Sequence, residues 1–452
     1  MLHFFKYPYK GRTYHFIWDI ESGSLLNVDA AAFLVAKKKY TNTLTQEEQK
    51  DFFKIPASQK NDIENEFNDL EIQQLINAPP PIIRDHKNFG ELKAMCLLIC
   101  QDCNMRCKYC FADDGKYHNS DRSIMSLETG KKAIDYLIEK SGNRRNLEVD
   151  FFGGEPLMNF NVVKGIVDYA RVKEKEFNKT FYFTLTTNCL ALTDDVINYL
   201  NKEMHNVVLS IDGRQTVHNN MRKTANYKDS HATVLKNAMK FASVRGEKSY
   251  YVRGTFTKNN LDFAEDVKFL ALNGFKQISL EPVVTDIKDL EITKEDIPRI
   301  EKEYEKLAYE YLESRKQPET WYNFFHFYVD LNHGPCMHKR MTGCGAGCEY
   351  ISVATNGDIY PCHQFTNIKE SKIGNVYEGS FNIAVSKQFS KNVVVNKLDC
   401  TNCFAKYYCS GGCAANNQIY KGNINIPYDI TCAMMKKRFE LALFINAIES
   451  AY

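Results

Sequence analysis

Residues 92–111 read Leu-Lys-Ala-Met-Cys-Leu-Leu-Ile-Cys-Gln-Asp-Cys-Asn-Met-Arg-Cys-Lys-Tyr-Cys-Phe, an apolar run followed by three cysteines in the pattern C-x3-C-x2-C. These cysteines are Cys103, Cys107 and Cys110. Three thiolates on one short loop can hold three irons of a [4Fe–4S] cube and leave the fourth iron open to another ligand. The stretch therefore predicts a strand that ends in a reactive iron–sulfur site.

The same stretch contains a second register, because Cys96, Cys100 and Cys103 are also spaced C-x3-C-x2-C. Cys96 lies inside the apolar run, and three ligands along an extended strand cannot converge on one cube. We therefore interpret the later three cysteines as the ligands, and Cys96 and Cys100 as small buried apolar side chains. Zinc is the alternative metal, but three thiolates without a nearby fourth ligand leave its coordination incomplete.

The composition is that of a globular protein of two or three domains, with 452 residues, 44% apolar and 25% charged. The net charge of +2 and the absence of long charge runs exclude a dedicated nucleic-acid or membrane-surface role. The sequence has no eighteen-residue apolar stretch and no secretory signal pattern, so we expect a cytoplasmic protein. In a reducing compartment, its 15 cysteines are expected to be metal ligands more than disulfide partners.

The middle of the chain, residues 79–315, alternates strand-like and helical patterns and so predicts an α/β fold. The expected strands are 93–99, 147–152, 181–186, 207–211, 250–256 and 277–283, and the expected helices are 126–140, 161–176, 194–202, 231–243 and 261–272. Six such units favour a parallel sheet curled into a partial (β/α)6 barrel with its helices outside. In such folds the site lies at the carboxyl ends of the strands, where the cysteine loop is placed.

Two further regions flank the barrel. Residues 1–78 show three strand-like runs followed by helical ones and end at Pro79-Pro80-Pro81. A long charged helix is expected from 293 to about 315. The last region, 316–452, holds nine of the 15 cysteines and has weak apolar periodicity. It is therefore expected to be organised by metal more than by a large apolar core.

The segment Cys103-x3-Cys107-x-Tyr109-Cys110 resembles the signature of radical S-adenosylmethionine (SAM) enzymes. That resemblance implies a partial (β/α)6 barrel whose open iron binds the amino and carboxylate groups of SAM. One electron, supplied by a reductant such as a ferredoxin or flavodoxin, then cleaves SAM to a 5′-deoxyadenosyl radical. The resemblance places Tyr109 near the adenine.

Further motifs follow strands two to four of the expected barrel. Gly153-Gly154-Glu155 follows strand two, and the two glycines let backbone carbonyls approach a ligand amine that a Cβ would obstruct. In the radical SAM family this segment grips the SAM amino group. Asn188 and Ser210, after strands three and four, resemble segments that contact ribose and carboxylate.

Arg222 is expected to pair bidentately with the SAM carboxylate. For Asn188 and Arg222, a helix cap and a surface ion pair are the structural alternatives. The sequence assigns no general base, and the catalytic residues are therefore left unknown.

The cysteines of the last region resemble the SPASM extension of radical SAM enzymes, which holds two auxiliary [4Fe–4S] clusters. The matching elements are Cys344-x12-Gly357-x4-Cys362, Cys400-x2-Cys403-x5-Cys409-x3-Cys413 and Cys432. By that resemblance, Cys400, Cys403, Cys409 and Cys432 would hold one cluster, and Cys344, Cys362 and Cys413 the other. The expected cofactors are thus three [4Fe–4S] clusters and SAM.

Cys348 departs from the minimal SPASM pattern. It is either the fourth ligand of the cluster held by Cys344, Cys362 and Cys413, or a bystander. In the second case one iron would be open, and a cysteine of a substrate peptide could bind there. The product expected from such a site is a thioether.

Residues 1–78 resemble the winged-helix-like peptide-recognition domain of radical SAM peptide maturases. A leader peptide could add a strand to its exposed sheet edge, and a stabilising extension of the barrel is the alternative. The layout of the whole chain resembles the maturases of SCIFF-type precursor peptides, of the sactipeptide and ranthipeptide kind, which form Cys-to-Thr thioether crosslinks. We therefore expect a leader-bearing precursor peptide as the partner. Whether the sulfur joins an α-carbon or a side-chain carbon is left open.

Two other functions are weighed against this one. An anaerobic sulfatase-maturing enzyme, which generates formylglycine, would share the SAM loop and both auxiliary clusters but would not need residues 1–78. A non-catalytic iron–sulfur electron carrier would need neither the open three-cysteine loop nor the Gly153-Gly154-Glu155 segment.

Overall fold

The computed structural model describes residues 1–81, 91–117, 121–332 and 336–450. The first region forms a three-stranded antiparallel sheet covered by three helices. Its elements are β1 (Leu2–Tyr9), β2 (Arg12–Asp19), β3 (Leu25–Val28), α1 (Ala30–Thr41), α2 (Gln46–Lys54) and α3 (Ala57–Ile72). The strand order is β1-β2-β3, so β1 and β3 are the sheet edges.

The middle region contains the six predicted strands in one parallel array. In chain order its elements are β4 (Ala94–Gln101), β5 (Met105–Cys107), β6 (Ser123–Ile124), α4 (Leu127–Lys140), β7 (Asn146–Gly153), α5 (Phe160–Phe177), β8 (Thr180–Thr187), α6 (Asp194–Glu203), β9 (Asn206–Ser210), α7 (Gln215–Met221), β10 (Arg222–Thr224), α8 (His231–Ser243), β11 (Ser249–Phe256), α9 (Ala264–Leu272), β12 (Gln277–Pro282) and α10 (Ile297–Ser314). Strands β4, β7, β8, β9, β11 and β12 pair in parallel in that order. Sequential parallel pairing with helical crossovers is the topology of a partial barrel.

The last region extends this sheet. Its elements are β13 (Asn323–Phe324), α11 (Met337–Thr342), β14 (Tyr350–Val353), β15 (Asp358–Tyr360), β16 (Gly374–Asn375), β17 (Ser380–Phe381), α12 (Ile383–Ser390), α13 (Lys406–Cys409), α14 (Ala414–Lys421) and α15 (Asp429–Ser450). Strand β14 pairs in parallel with β4, and β15 to β17 continue as antiparallel strands. This pairing brings the cysteine-rich region beside the strand that carries the cysteine loop.

Helix α15 differs from the expectation of a region with little apolar core. Its 22 residues bury large side chains such as Phe439, Leu443 and Phe444 in the same core as the barrel. Because a helix that is apolar on most sides has no clear 3.6-residue pattern, the sequence periodicity did not reveal it.

The sheet of the first region also packs against α15. The rings of Tyr7 and Phe444 lie 5.0 Å apart, and Trp18 is fully buried in the main core. The opposite face of this sheet covers a smaller core with α1 and α3, built around Ile17, Phe33 and Phe67. Both faces of the sheet are therefore occupied, while the β3 edge has no strand partner among the described residues.

No helix within the described ranges is long and apolar enough to cross a membrane.

Candidate functional site

The cysteine loop follows β4 and opens into a cavity of about 560 Å³ at the carboxyl ends of the barrel strands. Cys103, Cys107 and Cys110 are half-buried and line this cavity together. Burial raises the pKa of Cys103 and of Cys107 to about 12. Such thiols ionise only where a cation compensates the charge, and a metal cluster provides that cation.

Cys96 and Cys100 take the place expected of apolar side chains. They lie in β4 and are 1% and 0% exposed. Neither lines the cavity. The geometry thus supports the register that begins at Cys103.

The short strands β5 and β10 bring Arg222 beside the loop, with Arg222 paired in register with Cys107. The Arg222 guanidinium donates from Nη1 to the Tyr109 hydroxyl at 2.9 Å. The Tyr109 hydroxyl in turn donates to the Asp212 carboxylate, at 2.9 and 2.7 Å from its two oxygens. Arg222 is 8% exposed, so the alternative of a surface ion pair is wrong.

The Arg222 Nε is buried and has no hydrogen-bond partner among the described residues. An unsatisfied guanidinium N–H costs free energy unless a ligand oxygen accepts it. The side chain lines the cavity, so a carboxylate placed there could satisfy it. The prediction that Arg222 holds the SAM carboxylate is compatible with this position and stays a prediction.

The two glycines after β7 let the chain pass close to the cysteine loop. A Cβ on Gly154 would lie 2.0 Å from the carbonyl oxygen of Asp102, and one on Gly153, whose φ is +130°, would lie 2.4 Å from that of Cys100. The backbone N–H of Gly154 donates to the Cys100 carbonyl at 2.7 Å. Only glycine fits here, so the cradle that the sequence predicts is built by close approach of two backbones.

Glu155 joins the ends of β7 and β8. Its carboxylate accepts from the Leu157 and Asn188 backbone N–H groups at 3.0 and 2.7 Å, and from the Thr187 hydroxyl at 2.9 Å. Burial raises its pKa to about 7, while these donors and Arg222 oppose that shift. Because three groups of the chain already donate to its carboxylate, we infer that Glu155 chiefly holds the ends of β7 and β8 together in the cavity wall.

Asn188 faces the cysteine loop. Its Nδ2 donates to Asn104 Oδ1 at 2.6 Å and lies 3.7 Å from the Cys103 sulfur. It does not cap a helix, because Thr193 caps α6. Ser210 at the end of β9 also lines the cavity. All seven residues predicted to contact SAM thus border one cavity, although their roles stay predictions.

Four of the SPASM cysteines form one group around a second cavity of about 630 Å³. Its lining includes Cys400, Cys403, Cys409 and Cys432. The charges of the other three cysteines raise the pKa of Cys432, after the larger effect of burial, to about 12. The predicted four-cysteine set is therefore brought together.

Cys344, Cys362 and Cys413 form the other group. Burial and then the charges of Cys413 and Cys344 raise the pKa of Cys362 well above its ordinary value. The buried Cys348 thiol donates to the Ser386 carbonyl at 3.5 Å, and burial and then the charges of Glu349 and Cys344 raise its pKa. Cys413 also lines the cavity at the Cys103 loop.

A single metal ion fits these groups poorly. Among the described residues, no three His, Cys, Asp or Glu side chains are close enough to hold one ion. The cysteine sulfurs around a [4Fe–4S] cube lie farther apart than those around a single zinc ion, because each sulfur binds a different iron of the cube. The preference for iron–sulfur clusters over zinc rests on the cysteine spacing.

The sequence analysis missed one wall of the cavity, formed by Arg253, Glu281, His363 and Arg438. Arg253 and Glu281 are charged residues within the predicted strands β11 and β12, which is a signal that the sequence offers. Arg438 comes from α15, and no local pattern could have placed it there.

Comparisons with known proteins agree with this architecture. Residues 92–236 match the model of a family described as a 4Fe-4S single cluster domain. The chain is 25% identical over 92% of its length to the radical SAM cyclopropyl synthase TigE of Paramaledivibacter caminithermalis, covering 89% of that protein. It is 24% identical over 77% of its length to a cysteine-type anaerobic sulfatase-maturating enzyme of Clostridium novyi, covering 95% of it.

Two solved structures share the fold. The native sulfatase-maturating enzyme anSMEcpe with bound AdoMet and a Cp18Cys peptide aligns with a TM-score of 0.64 and 18% identity, over 80% of this chain and 99% of that chain. Streptococcus suis SuiB bound to its precursor peptide SuiA aligns with a TM-score of 0.54 and 17% identity, over 92% of this chain and 96% of that chain. The predicted α/β fold class and the resemblance to radical SAM enzymes are confirmed.

Proposed function

We propose that this chain, which has the fold of radical SAM enzymes, forms Cys-to-Thr thioether crosslinks in a ribosomally made, cysteine-rich precursor peptide. One observation carries the proposal. Cys413, from the predicted group of Cys344, Cys362 and Cys413, lines the same cavity as the Cys103 loop, while the Cys348 thiol is engaged by the Ser386 carbonyl. A peptide cysteine and the carbon it is joined to could therefore be held within one enclosed site.

The residues present fit the expected cofactors. Cys103, Cys107 and Cys110 would hold the first [4Fe–4S] cluster. The two groups of SPASM cysteines would hold one further cluster each. SAM would be held by Tyr109, Gly153, Gly154, Glu155, Asn188, Ser210 and Arg222. With the clusters and SAM bound, and with an electron from a ferredoxin or flavodoxin, the first cluster and SAM would supply a 5′-deoxyadenosyl radical. An auxiliary cluster would supply an iron that is free to take a thiolate.

The chain's own residues prepare this site in two ways. The Gly153-Gly154 crossing brings the end of β7 against the cysteine loop, where the amine of SAM is expected to bind. The Arg222 charge, which Tyr109 and Asp212 only partly compensate, attracts a carboxylate. Together they would orient SAM with its amino acid end toward the cysteine loop.

The first region would bind the leader of the peptide. Its β3 edge, Leu25–Val28, has no strand partner among the described residues, and an extended peptide can add a strand to such an edge. The same region contacts the four-cysteine group, because Trp18 donates to the Phe404 carbonyl at 3.1 Å. A leader bound there would extend from a surface that adjoins the auxiliary cluster region.

Formylglycine formation on a protein cysteine or serine is the second candidate, favoured by the similarity to sulfatase-maturating enzymes. The higher TM-score of anSMEcpe supports it, but that alignment covers 80% of this chain whereas SuiB covers 92%. A non-catalytic electron carrier has less support, since it would not need the glycine crossing or the cavity at the cysteine loop.

The test is anoxic co-expression of the chain with the precursor peptide encoded beside its gene, followed by mass spectrometry of the peptide. Loss of two hydrogens per crosslink, with a fragment linking Cys to Thr, is the expected result. Loss of sulfur from a cysteine would instead support formylglycine. An unmodified peptide, with SAM cleaved, would overturn the thioether proposal.

A further inference from the structure

A group of charged side chains on one cavity wall has no part in the proposed chemistry. Arg253 lies in β11 and is paired between Ser210 of β9 and Ser279 of β12. Arg253 and Thr255 are two residues apart, so their side chains lie on the same face of β11, and both line the cavity. The Arg253 side chain therefore projects inward, on a wall that the predicted SAM contacts leave largely unused.

The neighbours of Arg253 form a closed ionic set. Glu281 pairs with Arg438 at 3.4 Å and lies 3.5 Å from His326 Nε2. Arg438 Nη1 lies 3.1 Å from His326 Nδ1. Burial would raise the pKa of Glu281, but His326, Arg438 and Arg253 lower it to about 2, so the carboxylate stays ionised. Burial lowers the pKa of His326 to about 4, so its ring is neutral near pH 7.

One carboxylate thus faces two arginines, Arg438 in an ion pair and Arg253 at longer range, so this wall carries net positive charge. No other carboxylate pairs with either arginine in the described ranges. Arg253 is exposed to the cavity, and its guanidinium makes no hydrogen bond or ion pair with any described residue. A guanidinium held in a cavity without a partner is a site for an anion.

His363 offers a second group to the same cavity. Its Nδ1 is buried and has no hydrogen-bond partner among the described residues. The ring packs against Phe152 with centroids 4.8 Å apart, which fixes its direction. An imidazole can donate a hydrogen bond from its N–H to a carboxylate oxygen.

We propose that Arg253 and His363 form a carboxylate-binding subsite for an acidic group of the substrate, either an Asp or Glu side chain or the terminal carboxylate of the peptide. The planar guanidinium suits bidentate binding of a carboxylate, which would fix the peptide beside the reacting residues. This inference rests on the proposed function only in taking a peptide as the substrate.

SAM also carries a carboxylate and is the other source of this chemistry. Arg222, on the wall of the cysteine loop, has a buried Nε free to receive it. Arg253 is then left for the second carboxylate. The carboxylate of SAM and that of a peptide are distinguished by measuring the binding of SAM and of a simple carboxylate separately.

The test uses reconstituted full-length protein under anoxic conditions. SAM affinity is measured by titration, and binding of sodium acetate, labelled with ¹³C at its carboxyl carbon, is followed by line broadening from the reduced clusters of protein loaded with S-adenosylhomocysteine, which has no sulfonium to cleave. We expect Arg253→Gln to weaken acetate binding on the order of 10–100-fold and to change SAM affinity by less than about twofold. Arg253→Lys should retain part of the binding, because it keeps the charge without the planar fork.

The matched control is Arg145→Gln, an exposed arginine outside the cavity, which should leave both measurements unchanged. Acetate broadening that is absent in the wild type, or equal in Arg253→Gln, would overturn the subsite. A fall in SAM affinity of about tenfold or more in Arg253→Gln would assign the carboxylate to SAM and likewise overturn it. None of these readings requires peptide modification, so failure of the thioether proposal would be seen separately.

Discussion

The hydroxyl of Tyr109 donates to both carboxylate oxygens of Asp212, at 2.9 and 2.7 Å. The contact joins the loop after β4 to the end of β9, across 103 residues of sequence. Asp212 is fully buried, so its carboxylate depends on this donor and on the Thr255 backbone N–H at 3.1 Å. The hydroxyl also accepts from Arg222, and so it lies between Asp212 and that guanidinium, whose Nη1 is 3.9 Å from Asp212 Oδ1.

Tyr109→Phe should therefore weaken SAM binding about tenfold, because a charge-assisted hydrogen bond is lost and Arg222 is freed to pair directly with Asp212. Equilibrium titration of SAM into the reconstituted protein measures this. Tyr136→Phe is the matched control, since the Tyr136 hydroxyl has no hydrogen-bond partner in the described part of the chain. Equal SAM affinity in the two variants would remove Tyr109 from the site.

Cys348→Ala should leave the iron content near that of the wild type, about twelve per chain for three cubes. Cys344→Ala should lose about four irons, because Cys344 belongs to the three-cysteine group while the Cys348 thiol faces the Ser386 carbonyl. Iron analysis with Mössbauer spectroscopy measures both. Loss of a cluster in Cys348→Ala would make Cys348 the fourth ligand and close the iron proposed for substrate. A wild-type content near four would remove both auxiliary clusters.

The protein should lose stability as the pH falls below about 6.5, in part through His218. Its Nδ1 accepts from the Asp212 backbone N–H at 3.3 Å, and its Nε2 lies 3.0 Å from the Ser230 hydroxyl. Burial, Arg222 and His231 lower its pKa to about 2. Between that value and the unfolded pKa near 6.5, the unfolded chain binds the extra proton, so the free energy of unfolding falls with falling pH.

His218→Gln should consequently show a shallower pH dependence, by up to about 1.4 kcal/mol per pH unit. The thermal midpoint measured anoxically between pH 5.5 and 7.5 reports the difference. A variant whose midpoint falls as steeply as that of the wild type would show that His218 is not held neutral in the folded protein.

Glu21→Ala should destabilise the four-cysteine group. The Glu21 carboxylate accepts from Lys406 at 2.5 Å and from the Tyr407 hydroxyl at 2.7 Å, and both residues lie between two of the cysteines. Removing one member of a mostly buried ion pair costs about 3 kcal/mol. We expect a lower thermal midpoint and faster loss of iron to a chelator.

Glu47→Ala, an exposed position in the first turn of α2, is the control for Glu21→Ala. Identical chelator kinetics in the two variants would show that the first region does not support the cluster loop. Deletion of residues 1–78 is a poorer test, because it would expose buried rings such as Trp18.

Much of this architecture could be predicted from local sequence. The apolar run before Cys103 and the five later strands are each readable within about ten residues, and the six β-then-α units imply parallel order. The Gly153-Gly154 segment could be recognised because the end of the strand before it could be predicted. The cluster cysteines were readable from their spacing alone.

Contacts between distant segments could not be predicted in this way. Glu281 and Arg438 meet across 157 residues, and Arg438 lies on a helix whose apolar faces conceal its period. Asp212 belongs to the motif that begins at Ser210 and could be noted from the sequence. Its contact with Tyr109 could not, because it depends on the fold that brings β9 near the cysteine loop. The direction of the Cys348 thiol likewise depends on the packing of α12, which supplies the Ser386 carbonyl.

The central claim is that Cys103, Cys107 and Cys110 hold the cluster that cleaves SAM. The most direct measurement is the yield of 5′-deoxyadenosine from SAM and dithionite, compared between Cys103→Ala and Cys100→Ala in anoxically reconstituted protein. Cys103→Ala should give none, while Cys100→Ala should stay active, because Cys100 is a buried apolar side chain of β4. Cleavage that persists in Cys103→Ala, or an intact wild type that yields no 5′-deoxyadenosine, would contradict the claim.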